Sequence, residues 1–210
     1  MKFCVIGVGR FGYYVATTLA ENGMGVLAVD SNEAIIATIR DRVTQAICLR
    51  VADEDDLHAI GVTNMDVVIV AMGENFAQSI LITALLKQNL KIKRVITRSI
   101  NKIHRDILKM IGADEVILPE QEVGIRLADT LSLPFSAIMR LTPHFSLSSI
   151  EPPKKCIGKP ALSLQELYNV SCVGQRVGEE IRPLAHDHLI TESDHLVVAG
   201  LNHDLSKLTR

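Results

Sequence analysis

The chain has 210 residues, enough for one large or two small domains, and 48% of them are apolar, enough to build real cores. A formal net charge of −2 and a pI of about 6.4 give no electrostatic footprint for nucleic acid. Aromatic residues make up only 4% of the chain and tryptophan is absent, which points to aliphatic α/β packing. Cys4, Cys48, Cys156 and Cys172 are far apart with no CxxC pair, and read as reduced thiols of a cytosolic protein. No apolar run approaches the roughly 20 residues that span a bilayer. No signal peptide precedes the first strand pattern, so the expectation is a soluble chain.

In chain order, a short apolar strand over Phe3–Ile6 runs into Gly7-x-Gly9-x-x-Gly12 and then into a helical pattern (Phe11, Val15, Leu19) stopped by Gly23. The three glycines suit a tight turn, a close approach of backbone to pyrophosphate, and close packing of helix on strand. The free N–H groups of the helix start would hold the anion. A second strand, Gly25–Asp30, ends in a carboxylate placed to accept from a ribose hydroxyl. Together these predict a nucleotide site.

Asn32 reads as the N-cap of a helix through Ile35, Ile36 and Ile39. A third strand, Thr44–Leu49, precedes Asp53-Glu-Asp-Asp-Leu57, an acidic first helical turn closed by Gly61. The acids there are expected to complement the helix N-terminus, with metal binding as the lesser alternative. Asp66–Ala71 is a continuous apolar run of the kind buried on both faces of a parallel sheet. Gly73 then leads to a long helix, Asn75–Asn89. Strand Arg94–Arg98, helix Asn101–Ile111, strand Glu115–Leu118 and a helix from about Glu120, with Val123, Leu127 and Leu131 on one face, complete the series. Six strand–helix alternations predict a Rossmann-type doubly wound parallel sheet over residues 1–134.

From residue 135 prolines cluster and the segments shorten, predicting a small α+β domain over 135–210. Its expected elements are strand Phe145–Ile150, helix Ser163–Val170 with Ser163 and Glu166 as a capping box, strands Cys172–Val177 and His195–Ala199, and a short helix from Asn202. So small a core makes self-association plausible. His186, Asp187 and His188 read as a solvated turn in which Asp187 faces away from the two histidines. His58, His104, His144, His195 and His203 are scattered.

The motifs Ile6-Gly-Val-Gly-Arg-Phe-Gly12, Leu27-Ala-Val-Asp30, Val68-Ile-Val-Ala-Met-Gly73, Ile111-Gly-Ala-Asp-Glu-Val-Ile-Leu-Pro-Glu120 and Glu192-Ser-Asp-His-Leu-Val-Val-Ala-Gly200 resemble, over the whole chain, the regulatory subunits of bacterial Trk/Ktr potassium transporters. These RCK proteins pair an N-terminal TrkA-N (RCK-N) domain with a C-terminal TrkA-C (RCK-C) domain. The resemblance implies a non-enzymatic gate controller. It binds ATP, ADP or NAD(H), forms dimers that assemble into an octameric ring, and acts on a membrane potassium channel subunit from the inner face of the cell membrane. It also implies site residues: Gly7, Val8, Gly9, Arg10, Phe11 and Gly12 on the phosphate turn, with Arg10 reaching phosphate. Asp30 and Ser31 fall at the ribose, and Ala71, Met72 and Gly73 along the cleft. Arg98 falls near the phosphates, and Glu120 near the terminal phosphate, where it helps bind an activating divalent or sodium cation. Where the family carries a small polar or acidic residue near adenine, this chain has Arg50 before Val51, so stacking on the base or a second phosphate contact becomes possible. Through Pro152–Lys159 the C-terminal region diverges, and a cyclic di-adenylate site is not carried over. The alternatives are an NAD-dependent oxidoreductase, for which no Tyr-x-x-x-Lys or evident His–carboxylate pair is present, and an NADH or cysteine redox sensor.

Overall fold

The computed structural model describes residues 1–73, 75–132, 136–142, 144–185 and 187–208. They form two compact units, Met1–Glu122 and Val123–Arg210. The expected boundary between residues 134 and 135 lies outside the described residues.

The first unit alternates strand and helix: β1 (Lys2–Ile6), α1 (Arg10–Glu21), β2 (Gly25–Asp30), α2 (Glu33–Ile39), β3 (Gln45–Cys48), α3 (Glu54–Ala59), β4 (Val67–Val70), α4 (Phe76–Ala84), β5 (Val95–Arg98), α5 (Lys102–Ile111) and β6 (Glu115–Ile117). Helix α6 (Pro119–Ser132) begins in this unit and continues into the next. The strands pair in the order β3-β2-β1-β4-β5-β6, all parallel, so the expected Rossmann-type sheet is present. Side chains of a strand alternate between faces, and here both faces are covered. Cys4, Ile6, Leu27, Val29, Val68 and Val70 join one buried cluster with Leu57, Ile82 and Leu86. Val5, Val26, Ala28, Val67 and Ile69 join another with Ala16 and Ile39. Two-sided burial is why β4 reads as an unbroken apolar run. The strand order reverses between β1 and β4, and a crevice opens there beyond the carboxyl ends of the strands.

Helix starts follow local chemistry. Asn32 accepts from the Ala34 N–H at 2.9 Å, Asp53 from Asp56 at 3.0 Å, Asn75 from Gln78 at 3.1 Å and Asn101 from His104 at 2.8 Å. The Ala52 N–H donates in turn to Asp56 at 2.8 Å, so the acids Asp53 and Asp56 serve as caps. Among the described residues no group of three or more His, Cys, Asp or Glu could hold a metal. The long helix expected over Asn75–Asn89 is α-helical only to Ala84 and passes into a π-helical turn over Leu85–Asn89. That turn aims three consecutive side chains at three neighbours: Lys87 at Asp114 (2.9 Å), Gln88 at the Ile111 carbonyl (2.7 Å) and Asn89 at Glu54 (2.6 Å). Such wider turns are rare and occur mostly as single turns inside α-helices.

The second unit holds β7 (Ser136–Thr142), β8 (Phe145–Ile150), α7 (Ser163–Tyr168), β9 (Ser171–Val177), β10 (Glu180–Arg182), β11 (Leu196–Leu201) and α8 (Asn202–Leu205). Its antiparallel sheet runs β10-β9-β11-β8-β7 over a core of Ile150, Cys156, Leu164, Val170, Ile190, Leu196, Val198 and Leu205. The α+β class holds, with two corrections. β7 and β10 are edge strands that the residue pattern did not mark: β10 is exposed along its length, and Met139, Arg140, Leu141 and Thr142 of β7 are exposed. The capping box at Ser163 does not form. Leu162 occupies the N-cap position, the helix has no side-chain cap, and the Ser163 hydroxyl is buried without a partner among the described residues. Val123, Leu127 and Leu131 of α6 are all exposed.

Candidate functional site

β1 ends at Ile6 and the chain turns at Gly7, whose φ of +92° is a conformation glycine adopts without a Cβ penalty. A Cβ there would meet the Met72 Cγ at 2.8 Å, and one on Gly12 would collide with the Gly7 carbonyl oxygen. The glycines thus let α1 pack against the turn from which it springs. Nothing lies within 4 Å of a Cβ position on Gly9, the N-cap residue of α1, and α1 has no side-chain cap. Its first-turn N–H groups therefore lack both intrahelical acceptors and a capping side chain, in a concavity that presents positive potential to an anion.

Asp30, at the end of β2, does something its position in sequence did not reveal. Its Oδ2 accepts the Val8 N–H at 2.7 Å, and its Oδ1 accepts the Asn32 N–H at 2.9 Å. The carboxylate is a strut that ties the glycine turn to the start of α2. Each oxygen keeps a lone pair for a further donor such as a hydroxyl.

A cleft beside this strut is lined by Ile6, Gly7, Val29, Asp30, Ser31, Leu49, Arg50, Val51, Met72, Gln78 and Ile82. Of the residues expected at the site, it brings together Gly7, Asp30, Ser31, Arg50, Val51 and Met72. Val8, Gly9, Arg10, Phe11 and Gly12 lie on the adjoining turn and the start of α1, with Arg10 exposed and Val8 buried. Ala71 and Gly73 flank Met72. Gln78 is the informative addition. Its Nε2 donates to the Val51 carbonyl at 2.5 Å, while its own N–H and Oε1 engage the Asn75 cap. The spacing Asn75–Gln78 was the signal for it, a cap with an amide three residues on.

The molecule's family follows from this turn, strut and cleft together with the sequence around them. A family model described as the TrkA-N domain matches residues 3–119. The chain belongs to the TrkA-N family. This TrkA-N chain is 31% identical over 210 residues to the Ktr system potassium uptake protein A of Bacillus subtilis (strain 168), an alignment covering 98% of this chain and 94% of that protein. Its fold is similar to that of the GsuK channel bound to NAD, with a TM-score of 0.63 and 14% identity, covering 99% of this chain and 38% of the other. A structure of GsuK bound to ADP matches 62% of this chain and 34% of the other with a TM-score of 0.55 and 21% identity.

In the TrkA-N chain, Arg98 at the end of β5 reaches across Gly73: a Cβ on that glycine would lie 2.5 Å from the Arg98 Nη1. The guanidinium sits 5.9 Å from the Phe11 ring and pairs through Nη2 with Glu120 Oε1. Its Nε is buried with no hydrogen-bond acceptor among the described residues. Glu120 is held below the usual carboxylate range, first by its own backbone N–H and then by Arg98. Arg98 and Glu120 do not line the cleft itself. Glu120, the carboxylate expected near a cation, is exposed and already paired with a guanidinium, and it belongs to no cluster of three or more ligating side chains among the described residues. Among the described residues, the side chains around Glu120 make no three-ligand cation site by themselves.

His188, read from the sequence as part of a solvated turn, pairs instead with Asp194 (Nε2 to Oδ2, 3.1 Å). Asp194 is buried and also accepts from the Thr191 N–H at 2.8 Å and Gln175 Nε2 at 2.7 Å. Although burial alone would raise its pKa, the hydrogen bonds from Thr191 and His188 hold it below the ordinary carboxylate value. His186 lies outside the described residues. No helix among the described residues is long and apolar enough to cross a membrane.

Proposed function

We propose that this TrkA-N chain is a nucleotide-binding regulatory subunit of a bacterial potassium uptake system, which responds to ATP/ADP or NAD(H) by changing shape and so controls a membrane channel subunit. The observation that carries the reading is the uncapped start of α1 beside a cleft whose wall is the Asp30 strut. Phosphates would take the free N–H groups of residues 10–12, assisted by the Arg10 and Arg98 guanidiniums. The ribose would lie against Asp30 and Ser31, and the base toward Arg50 and Val51. Likeness to potassium uptake proteins over nearly the whole chain supports the partner and, through it, a place on the inner face of the membrane; assembly of dimers into a ring is part of the same proposal.

No bond need be made or broken. The titratable side chains that line the cleft are Asp30 and Arg50, and neither suits the proton relay of a hydride-transfer enzyme. Regulation requires the nucleotide to favour one conformation over another, since equal affinity for both moves nothing. The γ-phosphate is the chemical difference between ATP and ADP, and Arg10 is the exposed cation at the helix start placed to read it.

Titration calorimetry with ATP, ADP and NADH, paired with sedimentation velocity, tests the reading. The expected result is binding without turnover and a sedimentation profile that differs between ATP and ADP. Arg10→Ala should weaken ATP more than ADP. NADH oxidation with a panel of small carbonyl compounds, or no heat with any of the nucleotides, would overturn the proposal.

A further inference from the structure

The cleft has an apolar side and, at its rim, one unpartnered cation. Leu49, Val51, Met72 and Ile82 all belong to, or pack against, the same hydrophobic cluster. Between the first two of these, Arg50 is exposed, and its guanidinium has neither a hydrogen bond nor an ion pair among the described residues. The acid that shares the cleft, Asp30, already accepts two backbone N–H groups. A base in such a slot needs a flat partner on its open face, and none of the lining residues is aromatic. The Gln78 amide is flat but is held by Val51 and Asn75. Arg50 supplies the one uncommitted planar group.

We infer that Arg50 is the base-binding residue of the cleft: its guanidinium stacks on the nucleobase and presses it against the apolar wall. This rests on the nucleotide reading above and adds to it the group that grips the base. A guanidinium stacks well because it is planar, delocalised and weakly hydrated, whereas an ammonium of equal charge has no face to offer. A 2′-phosphate contact is disfavoured, because the Asp30 carboxylate stands beside the ribose position and would repel it. Stacking tolerates different bases, so affinity should vary little between purine nucleotides.

The test is calorimetry on the full-length chain with ADP as the probe, and with NAD against NADP. Both Arg50→Ala and Arg50→Lys should weaken ADP by about five- to tenfold, at the lower end of stacking on an exposed group. Their thermal melts should match wild type, since Arg50 makes no hydrogen bond or ion pair among the described residues. Unchanged ADP affinity in Arg50→Ala overturns the inference alone. So does wild-type affinity in Arg50→Lys, or a preference for NADP that vanishes in Arg50→Ala, since either would mark a charge contact. A wild-type chain that binds no nucleotide takes down the nucleotide reading and the stacking role together.

Discussion

Replacing Asp30 by alanine should destabilise the ligand-free protein, and this separates a strut from a residue that merely waits for ribose. Two hydrogen bonds to a charged acceptor are lost, each contributing about 1.5–3 kcal/mol. They are not equivalent. Val8 is 2% exposed, so its N–H is left without water or acceptor, while the Asn32 N–H lies at an exposed position and can be rehydrated. The expected loss is therefore about 2–4 kcal/mol rather than the full sum. With an m-value of roughly 2 kcal/mol/M, the urea midpoint of the first unit should fall by roughly 1–2 M. Asp30→Asn keeps one acceptor oxygen but turns an NH2 toward the other donor, so it should also destabilise. Urea titrations without nucleotide, together with hydrogen exchange at the Val8 amide, make the measurement. An unfolding free energy within about 0.5 kcal/mol of wild type, with Val8 still protected, would refute the strut and return Asp30 to the ribose alone.

Gly12→Ala should cost at least about 3 kcal/mol, because the new Cβ meets a backbone carbonyl that cannot move without shifting the turn; a thermal melt near wild type would contradict the close packing of α1. Asp194 has a depressed carboxyl pKa, so its contribution to stability is complete above the unfolded value and is lost as pH falls through the lower, folded one. The second unit should therefore weaken below about pH 4, and Asp194→Asn should remove that part of the acid dependence, read as a flattened plot of urea midpoint against pH. Burial pushes the Cys4 thiol up to about 12 and Cys156 is also buried, whereas Cys48 is exposed. A thiol reagent at pH 8 should modify Cys48 first and reach Cys4 only on unfolding; fast native labelling of Cys4 would show that the first strand opens readily.

What the sequence determined by itself was everything set by nearest neighbours along the chain. The strand pattern was legible for all six parallel strands, and in β2 and β4 burial on both faces leaves a nearly unbroken apolar run. Asn32, Asp53, Asn75 and Asn101 announced helix starts, since a cap and its N–H lie within three residues. The GxGxxG turn was legible for the same reason. Where local chemistry offered a choice, it misled: Ser163 and Glu166 had the spacing of a capping box, but the chain put Leu162 at the cap position.

Only the tertiary structure decided which distant groups meet. Asp30 and Val8 are 22 residues apart, Gln78 and Val51 are 27 apart, and Arg98 and Glu120 are 22 apart. His188 chose Asp194 over the adjacent Asp187. The edge strands β7 and β10 are held by backbone pairing to their neighbours, and β10 has no buried position to mark it. The reason is common to all of these. Periodicity and capping are set by the geometry of a few consecutive residues, whereas a hydrogen bond across a sheet or a cleft exists only once packing has brought its two ends together.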